Sequence, residues 1–333
     1  MPMRKMLILA LLALAASAAR AATDADLSRP DATAPTPVRV GIYLVNLHDV
    51  IGAEQAFLAD VMVKAEWRDP RLAGKGSEVR SLPLDEIWNP RLQLANQRSV
   101  TTSLPRRVEV DSSGRVTYRQ LFSGRFTAPM SFTDFPRDRH RLGVQLVTLG
   151  YSPAEIVLLY EGKDAQSGRA AHLALTDWDA GPVRVTRADF LPGPGERPLA
   201  GVALSWEVRR HLAYLAMQAI LPLVLIVLMG WTALWPAPAA APPRISIAVT
   251  TMLTLIAYRF ALARSLPNLA YLTRMDYFMV GSTLLVFLVI VLVTLSSRLL
   301  GQGRQQLVER IDRWAIVGYP LLFAVVFVLS WWG

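Results

Sequence analysis

A chain of 333 residues that is 53% hydrophobic and 18% charged, with a mean hydropathy of +0.32, is too apolar for a soluble protein and too charged to lie wholly in a bilayer. It has no cysteine, which excludes disulfide staples, thiolate metal sites and a cysteine nucleophile. The net charge of +9 is scattered and falls partly at membrane boundaries, so it argues for steering of a membrane topology and against a nucleic-acid partner. His48, His140, His172 and His211 stand far apart and in no metal-binding spacing, so no metal site is expected.

Residues 1–22 read as a secretory signal. Arg4 and Lys5 make a positive start, Met6–Ala16 is an apolar run too short to span, and the small residues Ser17, Ala18, Ala19, Ala21 and Ala22 follow. Residues 23–37, rich in Ala, Asp, Thr and Pro, read as a flexible lead-in to an exported domain. From 38 to 210 the pattern is one of short strands: Val38–Leu47, Phe57–Trp67, Arg106–Val110, Val116–Phe126, Leu142–Leu149, Ile156–Tyr160, Val183–Ala188 and Val202–Arg209. Turn signals such as Asp69-Pro70, Asp111-Ser112-Ser113-Gly114 and Gly193-Pro194-Gly195 separate them. With about ten strands and no helical period between them, an antiparallel β-sandwich or barrel is expected. A carbohydrate- or peptide-binding module is compatible with that much.

Beyond Arg210 the chain changes solvent. Stretches at about 212–235, 244–265, 273–297 and 313–333 are long and apolar enough to span as helices. Trp231, Trp235, Trp314, Tyr319, Trp331 and Trp332 lie near their ends, as interfacial aromatics do. With the N-terminal domain outside, the third connection is inside, where Arg298, Arg304, Arg310 and Arg313 satisfy the positive-inside rule.

The second span is unusually polar. Steps of four and three residues place Ser246, Thr250, Leu253, Ala257, Phe260 and Arg264 on one stripe. Several copies around a water-filled axis would suit it, with hydroxyls facing an ion and a ring of Leu253 closing by dewetting. A buried helix in a transporter or enzyme bundle would suit it too, its Ser and Thr bonding across helices.

Motifs along the chain separate these readings. Trp67-Arg68-Asp69-Pro70-Arg71-Leu72 is similar to a Trp-x-Asp-x-Arg-Leu word, and Trp88-Asn89-Pro90 with Asn96 to a Trp-x-Pro-Asp word, Arg91 standing where Asp is usual. Ala128-Pro129-Met130-Ser131-Phe132-Thr133-Asp134-Phe135-Pro136-Arg137-Asp138-Arg139-His140-Arg141-Leu142 matches a signature loop whose flanking cysteines are here Ala128 and Leu142. Arg210, Ile220-Leu221-Pro222, Thr250-Thr251-Met252-Leu253-Thr254 and Ser265-Leu266-Pro267 follow in order. Together they resemble the pentameric ligand-gated ion channel (Cys-loop receptor) family, most closely its cysteine-free bacterial members.

The resemblance implies an extracellular antiparallel β-sandwich followed by a four-helix transmembrane bundle, assembled as a homopentamer. It places the chain in a bacterial inner membrane among lipids, with the N-terminal domain and the C-terminus on the periplasmic side. No cofactor is implied; the partners are a permeating inorganic ion and an unknown small-molecule agonist or protons. Ser246 and Thr250 would face the ion, with Leu253, Ala257 and Phe260 as the hydrophobic constriction and Arg264 above. Ala241-Pro242-Pro243-Arg244 is similar to the Pro-Ala-Arg of the family's anion channels, and 236–246 holds no Asp or Glu. Rings of Arg244 and Arg264 would then favour anions; the alternative is a cation-selective channel with Arg244 turned to headgroups or a neighbouring subunit. Arg259, off the stripe, is expected in a cavity between helices or paired across subunits.

Coupling of sandwich to pore is expected through Phe135, Pro136, Asp138, Arg210 and Pro267. Asp138 is the expected partner of Arg210, either as a boundary ion pair or as a screened surface contact. For the agonist, Tyr151 and Phe190 are the candidates; the first binding loop offers only Leu92, Gln93 and Leu94, so a cation–π cage is not expected. Trp178 is expected to pack between strands. A non-conducting membrane-anchored sensor would need one anchor or an evenly apolar bundle. No motif of an enzyme is present: there is no Ser-His-Asp order, no Gly-x-Ser-x-Gly and no phosphate-binding loop.

Overall fold

The alternation of the N-terminal half forms strands β1 (Thr36–Ile51), β2 (Ala56–Arg68), β3 (Arg80–Pro83), β4 (Leu92–Leu94), β5 (Gln97–Thr102), β6 (Arg107–Val110) and β7 (Arg115–Thr127). After the signature loop come β8 (Arg139–Thr148), β9 (Ile156–Leu159), β10 (Gly168–Arg169), β11 (Trp178–Ala180), β12 (Arg184–Arg187) and β13 (Gly201–Arg210). The structure is a computed structural model that describes residues 27–74, 78–160, 166–175, 177–212, 216–263 and 271–332. The expected signal at 1–22, Arg264 and Pro267 lie outside the described residues.

One sheet runs β10-β1-β2-β7-β6-β3, with β5 on β7 and β9 on β1; the other runs β11-β13-β8-β4, with β12 on β13. Pairing is antiparallel except that β9 and β10 run parallel to β1. Period-two burial brings the sheets face to face. Val38, Val40, Ile42 and Leu44 of β1 and Phe57, Val61, Val63 and Trp67 of β2 are buried, as are Leu142, Val144 and Leu146 of β8 and Leu204, Trp206 and Val208 of β13. Phe57 stacks on Phe126 at 5.5 Å and meets Trp206 of the opposite sheet edge-on at 5.6 Å, which ties the layers together. The lead-in is less free than its composition suggests. Arg29 donates to the carbonyls of Ala32, Ala34 and Glu155, and Arg71 donates to Ser28.

The helices are α1 (Leu221–Thr232), α2 (Ala241–Ala263), α3 (Arg274–Gly301) and α4 (Gln305–Trp332). Among the described residues three of them, over Ala241–Leu262, Arg274–Gly301 and Gln305–Trp331, are long and apolar enough to cross a membrane. The first expected span takes the form of a π-helical turn, Ala216–Ile220, running into α1. Pro222 near the start of α1 has no N–H to offer the preceding turn, so the ladder opens there. Thr273 and Asp276 form a capping box that starts α3. Gln302-Gly303-Arg304, with Gly303 at φ 73°, turns the chain back into α4. The start of α3 and the end of α4 meet at the β-domain, where Arg274 donates to Trp331 O at 2.9 Å and, through its backbone N–H, to Thr133 O at 3.1 Å. The α3–α4 turn is therefore at the far end of the bundle.

Gly124 of β7 has φ +152°, and a Cβ there would lie 2.1 Å from Ser99 O. Gly150, at φ +84°, has nothing within 4 Å of a Cβ. Gly124→Ala is expected to destabilise the full-length protein by more than Gly150→Ala, whose cost is backbone strain of about 1–2 kcal/mol. Denaturant titration of the two purified variants checks the order.

Candidate pore face and coupling junction

The α2 helix has two opposed faces. Arg244, Ala248, Thr251 and Leu255, at four-three-four spacing, are buried against the other helices of the chain. On the opposite side Ser246, Thr250, Leu253, Ala257 and Phe260 are exposed, Leu253 at 62% and Phe260 at 72%. Thr251 on the buried side donates to Ile247 O at 2.8 Å. The hydroxyls of Ser246 and Thr250 have no hydrogen-bond partner among the described residues. An outward face with unmatched hydroxyls suits water, or a ring of its own copies, better than acyl chains. Arg259 is also exposed, on the flank of this face, with no ion-pair partner among the described residues.

Arg244 stands elsewhere than expected. Pro242 and Pro243 are exposed at the first turn of α2, but Arg244 is only 1% exposed and points into the bundle. Its Nη1 and Nη2 donate to the two carboxylate oxygens of Asp312 at 2.7 and 3.0 Å, and its Nε donates to Ala233 O at 3.1 Å. Ser296 adds a bond to Asp312 at 3.2 Å. A guanidinium so placed cannot form a ring of free charge at the mouth, contrary to the expectation from sequence. The cause is Asp312: a carboxylate inside a membrane bundle requires a cation, and Arg244 is within reach. The sequence carried the signal, since Asp276, Glu309 and Asp312 are the only acidic residues from 211 to 333.

At the other end, Asp138 and Arg210 meet. Arg210 donates from Nε to Asp138 Oδ1 at 3.0 Å and from Nη2 to Oδ2 at 3.2 Å, while His140 Nε2 donates to Oδ2 at 2.9 Å. The Arg210 guanidinium lies 4.0 Å from the ring centre of Trp178 and 5.3 Å from that of Phe135. The carboxylate has no exposure, so the pair is buried and not a screened surface contact. Burial pushes the Asp138 carboxyl up, but the His140 bond and the Arg210 charge outweigh it and hold it below its ordinary value. Pro136, next to a cis peptide with Phe135, is buried beside this cluster. Trp178 thus packs between strands, as expected, and also carries the cation.

Two contacts had no prior signal. Arg274 Nε donates to Asp134 Oδ1 at 2.7 Å, and Phe132 N donates to the Tyr271 hydroxyl at 2.9 Å. They bind the signature loop to the start of α3 across 140 and 139 residues of sequence. Separations of that size are invisible to local pattern.

Each ligand candidate has contacts within the β-domain. The Tyr151 hydroxyl accepts from Trp88 Nε1 at 3.0 Å, and its ring sits 6.0 Å from that of Trp88, so it serves the packing of the loop. Phe190 exchanges backbone hydrogen bonds with Leu199 and closes the Pro-Gly-rich loop. Neither lines the cavity of about 530 Å³ bordered by Asn89, Arg91, Gln93, Arg106, Tyr118 and Gln120.

Two outcomes follow. Asp312→Ala, which strands the buried guanidinium, is expected to cost about 3–5 kcal/mol, and the double change Arg244→Met with Asp312→Leu to restore most of it; unfolding of detergent-purified protein measures both. For Asp138 the folded value is depressed, so its stabilisation is complete above the unfolded value of about 4 and is lost as pH falls through the lower folded value. The difference in unfolding free energy between wild type and Asp138→Asn should stay constant from neutral pH to about 4 and close only below it.

Comparison with known proteins agrees with this geometry. The family model described as neurotransmitter-gated ion-channel ligand binding domain matches residues 24–188. A proton-gated ion channel of Gloeobacter violaceus is 24% identical over 311 residues, covering 90% of this chain and 84% of that protein. The gamma-aminobutyric acid receptor subunit alpha-2 of Bos taurus is 24% identical over 262 residues, 76% of this chain but 58% of that subunit. The beta-4 subunit of Gallus gallus is 23% identical over 274 residues, 78% of this chain and 55% of its own length. A ligand-binding-domain match over 24–188 and a relative covering 90% of the chain, with a β-domain joined through a buried Asp138–Arg210 contact to membrane helices, support the pentameric ligand-gated ion channel family for this chain.

Proposed function

We propose that five copies of this chain surround an axis with α2 innermost and form a homopentameric ligand-gated channel of a bacterial inner membrane. One observation carries the reading: the hydroxyl-bearing stripe of α2 is turned away from its own bundle while the opposite face is buried. A closed ring of identical subunits gives that stripe a common wet lumen. Ser246 and Thr250 offer hydroxyls to a partly hydrated ion, and Leu253, Ala257 and Phe260 form the constriction that stops conduction by dewetting. Binding or protonation in the β-domain acts on α2 through the Asp138–Arg210 junction and Pro267.

Anion preference is supported by the absence of any acidic residue in 236–246 and by Arg264, which continues the four-three stripe in the sequence. Arg244 does not contribute, because its charge is neutralised inside the subunit. The pairing of Arg244 favours the second reading, a cation-selective channel of the same design. The name of the Gloeobacter relative makes protons the first stimulus to try. Asp138, held below the ordinary carboxylate range, is not their sensor.

Full-length protein in planar bilayers, challenged by acid steps and compared with the Leu253→Thr variant, tests this. Leu253→Thr wets the constriction and should conduct without stimulus, with reversal potentials that follow the chloride gradient. Reversal along the sodium gradient would replace the anion reading with the cation one. A silent Leu253→Thr protein, or one that purifies as a monomer, would remove the channel assignment. Asp138→Ala on the Leu253→Thr background should assemble yet lower the open fraction.

A further inference from the structure

We propose that the outer face of the first sheet carries, at the end farthest from the coupling junction, a binding site for a small organic dianion of the phosphate monoester class. Pro37 and Arg39 of β1, Arg68 of β2, Ser113 and Arg115 at the start of β7, and Leu159 of β9 border a cavity of about 410 Å³ there. It shares only Trp67 with the larger cavity of about 530 Å³, and the proposal does not rest on the pore reading.

Strand register makes the site. β2 and β7 pair from Ala56 with Thr127, beside the signature loop, to Arg68 with Arg115, so the two arginines stand directly opposite each other at the distant end of the ladder. Side chains so placed share one face about 5 Å apart, and like charges there repel. Both arginines are exposed, and neither guanidinium has a hydrogen bond or ion pair among the described residues. The carboxylates around them are engaged. Glu66 pairs with Lys64 at 2.8 Å and Asp69 with Arg71 at 2.7 Å. Asp111 accepts from the backbone and hydroxyl of Ser113 and from the backbone N–H of Arg115. Arg39, opposite Glu66 on β1, brings a third guanidinium to the cavity. Each guanidinium presents a planar fork of donors that matches phosphate oxygens, so two of them left unneutralised side by side call for an anion with several oxygens and more than one charge. Pro37 and Leu159, the latter 39% exposed, give the β1–β9 side an apolar wall, which suits a ligand that carries carbon as well as charge. A dianion seated there offsets the repulsion between β2 and β7 and ties β1 to both.

The test uses full-length protein purified in detergent at low ionic strength and titrated with phenyl phosphate, inorganic phosphate or phenol, with the thermal midpoint as readout. Phenyl phosphate should raise the midpoint, since a ligand of the folded state stabilises it by mass action. Inorganic phosphate should do so less at equal concentration, and phenol not at all. Arg68→Gln and Arg115→Gln should each raise the ligand-free midpoint, by removing the repulsion, and lose most of the increment. Those opposite signs separate a binding role from a structural one, because an arginine that supports the fold would lower the ligand-free midpoint when replaced. Arg119→Gln, on the same face of β7 but paired with Glu109, should keep the increment. No increment in wild type, an undiminished one in either Arg68→Gln or Arg115→Gln, an equal loss in Arg119→Gln, or a lowered ligand-free midpoint in both cavity variants would overturn the site. An effect of inorganic phosphate equal to that of phenyl phosphate would make it a free-oxyanion site and overturn the organic assignment, and an equal effect of phenol would overturn the anion.

Discussion

An arginine and an aspartate removed from water set the rotation of the most polar helix in the bundle. Arg244 and Asp312 exchange two hydrogen bonds at 2.7 and 3.0 Å, and the same guanidinium holds the carbonyl of Ala233 at the end of α1. With Ser296 of α3 included, all four helices meet at one carboxylate–guanidinium pair. Leaving either charge unpaired there is far costlier than rotating a helix, so α2 turns until Arg244 is satisfied. Because α2 winds at 3.6 residues per turn, that choice also sends Ala248, Thr251 and Leu255 inward and Ser246, Thr250 and Leu253 outward. The face that α2 turns outward is thus decided by a residue on the opposite side of the helix.

The outer end of the bundle is held by different chemistry. There the signature loop inserts Phe135 and Pro136 into a cluster where Asp138 holds Arg210, Arg210 lies on Trp178, and His140 completes the carboxylate's bonds. Beside it Arg274 joins Asp134 of the loop to the last turn of α4. With Ala128 and Leu142 where the resembled loop has its flanking cysteines, the loop is held by these ionic and aromatic contacts. Within one chain the sandwich is thus tied to the outer end of the bundle by these contacts, while the Arg244–Asp312 pair pins the bundle at its base.

The charge that α2 presents outward follows from the same placement. An arginine in the sequence is a cation in the pore only if its side chain reaches the lumen, and a carboxylate elsewhere in the fold can remove it. The prolines before Arg244 are exposed and carry no charge, so the start of α2 presents no free charge outward along the segment that precedes the stripe.

Much of this protein was legible in its sequence because the information was local or periodic. Strand alternation gives the sandwich, apolar length gives the membrane helices, a four-three step gives the outward stripe of α2, and ordered motifs give the family. The Asp138–Arg210 pair was legible only through the resemblance, since 72 residues separate its partners. What the tertiary structure alone decided is which charges are free. Arg244 meets Asp312 across 68 residues and Arg274 meets Asp134 across 140, and no periodicity in either segment encodes the other. Helix faces are written in the order of the side chains, but the neutralisation of a charge depends on which other element folds against it, and that is a property of packing.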